Sequence, residues 1–117
     1  MKLGSVVGLI AASCMLGAGY WHLDLVDSRP KADQVVTESP TEIWLRFNQA
    51  PDLAQSGISL MGPGGAERLE DVALADSVSL SSKVVDALEP GEYTVSWRAA
   101  PHDDHAVRGR YRFTVER

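Results

Sequence analysis

The sequence predicts an all-β domain, an immunoglobulin-like Greek-key sandwich or small barrel of about seven antiparallel strands, placed after an N-terminal signal or anchor segment. Three observations point there. Apolar residues recur at every second position in short runs, the period of a half-buried strand. Turn chemistry built on Ser, Pro, Gly and Asp separates those runs, at Ser39-Pro40, Ala50-Pro51-Asp52, Gly62-Pro63-Gly64-Gly65 and Glu89-Pro90-Gly91. Helical periodicity is confined to at most one turn, near 52–55.

The elements follow in chain order. Residues 3–21 carry no charge, follow Lys2, and are rich in Val, Leu, Ile, Ala and Gly. A short positive start, an apolar middle and then small residues is the layout of a secretory signal. If retained, the run is long enough to span a bilayer. Gly17-Ala18-Gly19 offers the small residues that signal peptidase reads. Ala11-Ala12-Ser13-Cys14 resembles a lipoprotein signal but lacks its large aliphatic residue. The expected division is therefore a leader or uncleaved anchor over 1–21 and an exported domain over 22–117. Cys14 is the chain's one cysteine, so the domain has neither a disulfide framework nor a thiolate metal site.

Within the domain, 23–26 is a weak strand candidate, with Asp24 and Asp27 on its wet face. Ile43, Leu45 and Phe47 alternate with Trp44 and Arg46, a half-buried strand. Weaker strands are expected at 58–61, 72–75 and 78–85. The loop Gly62-Pro63-Gly64-Gly65 lacks the lysine and following helix of a phosphate cradle and reads as a turn. Tyr93, Val95 and Trp97 form the apolar side of a strong strand, as do Tyr111, Phe113 and Val115. Tyr93 follows the Glu89-Pro90-Gly91 turn, where a Greek-key sandwich places a corner tyrosine whose hydroxyl bonds back to the chain. Trp44, Trp97 and Tyr93 are expected in packing. Arg108, Arg110 and Arg112, at strand spacing, are expected on a solvated face.

The segment between the last two strong strands holds the chemistry. His102-Asp103-Asp104-His105 sets two imidazoles and two carboxylates in four residues. That donor set suits Cu(II), Zn(II) or Ni(II). A formal net charge of −5, one unit more negative without Lys2, attracts cations and disfavours nucleic acid or anionic lipid. No Ser and His are spaced to suggest nucleophilic catalysis.

Taken in order, His22, Leu25 and Ser28-Arg29-Pro30, then Pro40, Ile43, Leu45 and Phe47, then Gly91-Glu92-Tyr93-Thr94-Val95-Ser96-Trp97-Arg98, the Asp103-Asp104-His105 loop, and Gly109 with Tyr111, Phe113 and Val115 resemble the CopC family of periplasmic copper-resistance proteins. The resemblance covers His22 to Arg117. It implies one Cu(II) held by His22, Asp103 and His105, with His102 a bystander. It further implies a non-catalytic, extracytoplasmic protein that buffers or carries copper, acting as a monomer. A copper-transporting inner-membrane protein is then a candidate partner. Membrane contact is expected only through an uncleaved or lipidated leader.

Three positions depart from the family pattern. Asp104 stands where the family has Gly. Trp21 precedes His22, and signal peptidase cuts poorly after Trp. Met61 is the only methionine beyond the leader, so no thioether Cu(I) site is expected. Cleavage after Gly19 would leave Tyr20-Trp21-His22 as the terminus, able to wrap Cu(II) or Ni(II) in a square-planar nitrogen set. Sequencing the mature terminus decides this. Two other function classes compete: a metal-free interaction module tethered at the membrane, and a histidine-brace copper monooxygenase.

Overall fold

The computed structural model describes residues 22–101 and 105–117. Among the described residues there are nine strands: β1 (Leu25–Arg29), β2 (Val35–Val36), β3 (Glu42–Phe47), β4 (Gly57–Gly62), β5 (Gly65–Glu67), β6 (Ala73–Asp76), β7 (Ser79–Lys83), β8 (Gly91–Ala99) and β9 (Val107–Val115).

 The seven strands that the alternation predicts are all present, and β2 and β5 are the additional ones. A 3-10 turn, Leu53–Gln55, is capped by Asp52, whose Oδ1 accepts from the Ala54 N–H at 3.1 Å. Among the described residues, no helix is long and apolar enough to cross a membrane.

The strands form two sheets, one ordered β2-β9-β8-β4-β5 and the other β1-β3-β7-β6. All strand pairs are antiparallel except β2 with β9, which run parallel through Val35–Thr114 and Val36–Val115. Alternation decides which side faces inward. Ile43, Leu45 and Phe47 of β3 and Leu80 of β7 meet Leu60 of β4, Tyr93 and Val95 of β8, and Phe113 and Val115 of β9. Each such buried side chain contributes about 1.5–3 kcal/mol of transfer free energy. Tyr93 stacks on Phe113 at 5.5 Å between centroids, and Phe47 meets Trp97 edge-on at 5.2 Å.

Tyr93 makes the corner bond expected of it, its hydroxyl donating to Glu89 O at 2.6 Å. Its ring leaves no room for a side chain on the neighbouring strand, where a Cβ at Gly62 would collide with it. Trp44 is half-buried beneath the Arg29 guanidinium, 4.1 Å from the ring centroid. Arg108, Arg110 and Arg112 are exposed, as expected of a solvated face.

Candidate metal centre

The start of β1 and the loop between β8 and β9 reach the same end of the sandwich. Leu23 explains the first half. It is buried in the core at 2 % exposure, just ahead of β1, and so fixes the chain beside it while His22 stays exposed. Asn48, the residue after β3, clamps the same segment. Its Nδ2 donates to His22 O at 2.8 Å and its Oδ1 accepts from the Asp24 N–H at 2.9 Å. The Asn48 N–H also donates to Asp24 O at 3.0 Å.

Four residues later the same connection reaches the other half. The Asp52 N–H donates to Ala100 O at 2.7 Å, directly after β8. Ala99 and Ala100 are fully buried, and Val107 pairs with Ala99 to open β9. Residues 48–52 are thus a strap tied at one end to His22 and at the other to the base of the β8–β9 loop. The Phe47–Trp97 contact lies under it and joins the two sheets at this end.

His105 is exposed on that loop. Of the expected donors, His22 and His105 are described, while Asp103 lies outside the described residues, as do His102 and Asp104. Among the described residues, no three His, Cys, Asp or Glu side chains cluster closely enough to hold a metal. Two exposed imidazoles carried to one end of the fold fit a borderline cation that takes nitrogen donors.

Sequence reasoning missed Asn48. The run Asn48-Gln49-Ala50-Pro51-Asp52 reads as turn chemistry closing a strand, and a turn asparagine gives no sign that its amide reaches 26 residues back to His22.

The CopC domain family profile matches residues 25–116. Copper resistance protein C of Escherichia coli is 32% identical over 122 residues, covering 97% of this chain and 92% of that protein. Protein YobA of Escherichia coli K12 is 29% identical over 122 residues, covering 98% and 95%. Among solved structures, PcoC, a methionine-rich copper resistance protein from Escherichia coli, superposes with a TM-score of 0.75 at 33% identity, covering 81% of this chain and 99% of its own. CopC from Methylosinus trichosporium OB3b gives 0.71 at 33% identity, covering 81% and 94%.

Proposed function

The chain belongs to the CopC family, which ties it to copper, and on that premise we propose that it binds one Cu(II) outside the cytoplasm and buffers or carries it without catalysis. His22, Asp103 and His105 are the proposed ligands, two imidazoles and a carboxylate of the kind Cu(II) takes in a tetragonal field. The strap from Asn48 to Asp52 carries this reading, because it ties the His22 segment and the base of the His105 loop to one end of the sandwich. The site lies on the outside of the fold, where a cargo ion can enter and leave. The protein resembling this one that is described as methionine-rich differs from it in composition, since Met61 is the only methionine here beyond residue 21. A copper-transporting membrane protein is the proposed recipient.

Cu(II) titration between about pH 5 and 8 tests the proposal, since ligating imidazoles must be neutral. One ion per chain is expected, with affinity falling steeply below about pH 6. His22→Ala, Asp103→Ala and His105→Ala should each weaken binding about tenfold or more, on the scale of losing a ligand. Unchanged affinity in any one variant removes that residue from the site. Absence of stoichiometric binding by the unaltered protein selects the metal-free interaction module, and copper-dependent peroxide production with ascorbate selects an enzyme.

A further inference from the structure

On the outer face of the larger sheet four arginines stand in register. Arg98 of β8 is the direct cross-strand partner of Arg108 of β9, Arg110 faces Ser96, and Arg112 faces Thr94. All four are exposed, on a chain whose net charge is −5. Like charges directly opposite one another on a sheet are destabilising. Little in the fold offsets this. Arg98 Nε donates to Gln55 O at 3.2 Å, and Arg112 lies 3.8 Å from exposed Glu92, a weak pair. Among the described residues, Arg108 and Arg110 have no ion-pair partner.

Beside them lies a shallow groove of about 750 Å³. Small residues, Gly57, Ser59 and Ser96, form its floor, and Arg98, Arg108 and Arg110 flank it. Alternate residues along a strand are about 7 Å apart, so Arg108, Arg110 and Arg112 repeat at the spacing of alternate side chains in an extended peptide. Arg98 and Arg108 also adjoin the two strand ends that carry the β8–β9 loop.

We propose that this groove docks an extended acidic segment of a partner protein, with carboxylates at alternate positions against Arg108 and Arg110. A partner held there lies next to the His105 loop. Its role in copper transfer rests on the Cu(II) reading above, whereas the docking does not. The net negative charge of the chain opposes broad polyanions such as a lipid surface or nucleic acid. A short acidic segment engages the arginines without facing the rest of the molecule.

The test is fluorescence anisotropy of the purified protein with a labelled peptide alternating Glu and Thr, about eight residues long. Wild-type binding at low salt is expected, weakening about tenfold or more between about 20 and 200 mM salt. Arg108→Ser/Arg110→Ser should reduce binding about tenfold or more, while its melting temperature stays equal or rises as the like charges are removed. Should that variant fail to fold, Arg110→Gln with a Lys–Thr peptide as control serves instead: the substitution must weaken Glu–Thr binding, and the Lys–Thr peptide must not bind. The proposal is overturned by no binding of the Glu–Thr peptide to wild type, by equal binding to the variant, or by tighter arginine-dependent binding to phosphatidylglycerol vesicles or an oligonucleotide. Cu(II) titration of the same variant should be unchanged. Failure of wild type to bind Cu(II) defeats the copper reading and leaves the docking result standing.

Discussion

Asn48 uses both ends of its amide on the backbone of the segment just ahead of β1, more than twenty residues earlier, accepting from Asp24 and donating to His22. Removing it frees the segment that presents one proposed ligand. Asn48→Ala is expected to cost about 1–2 kcal/mol in stability and to weaken Cu(II) binding about tenfold, as loss of a ligand-orienting group does. Asn48→Asp keeps the acceptor for Asp24 and loses the donor to His22, so it should fall between the two. Chemical denaturation and Cu(II) titration of the three proteins check the order. The sequence marks His22 and His105 as candidate ligands because imidazoles are rare and chemically distinct. It does not mark Asn48, whose amide bonds depend on a contact that only the folded chain creates.

At the scale of elements, legibility followed length. Strands β3, β8 and β9 each carry three alternating apolar residues, enough to fix which face is buried. Val35–Val36 and Gly65–Glu67 are too short to show a period, and the parallel direction of β2 against β9 depends on a partner about eighty residues away. The interior face also holds a constraint that alternation does not reveal. Gly109 faces Trp97 across β8 and β9, and a Cβ there would strike the indole, which is already packed on Phe47. Gly109→Val is expected to destabilise by about 1–3 kcal/mol, the usual scale of overpacking. Adding Trp97→Val should restore part of that loss, a coupling that a double-mutant cycle in urea measures. Full additivity of the two substitutions would show that the ring does not set the requirement for glycine.

For the whole molecule, alkaline pH is the informative axis. Burial pushes the Tyr111 hydroxyl up to about 12, with Ser28 pulling weakly the other way. Tyr93 is also raised, first by burial and then by Glu67 and Glu89. Both groups hold their protons more tightly in the folded state. Their contribution is therefore complete below about pH 10 and is lost as pH rises towards 12. Tyr111→Phe should reduce this alkaline loss, which is on the order of 1 kcal/mol by pH 11 for the wild type, and should change stability at pH 7 little, because the buried hydroxyl has no well-formed hydrogen bond among the described residues and only the weak pull of Ser28. Urea unfolding at pH 7, 10 and 11 reads both effects, and an undiminished alkaline loss in the variant would assign it elsewhere.

The position of β9 has a further consequence, one of timing. It lies inside the larger sheet, between β2 and β8, so until residues 107–115 have been synthesised neither neighbour has its partner along that edge. The pairing with β2, about eighty residues away in sequence, forms slowly. The loop before β9 is therefore anchored on both sides only once that strand has docked. On the proposed function, a chain still being made has no completed β8–β9 end at which to gather a metal, and capture of the ion belongs to the finished protein.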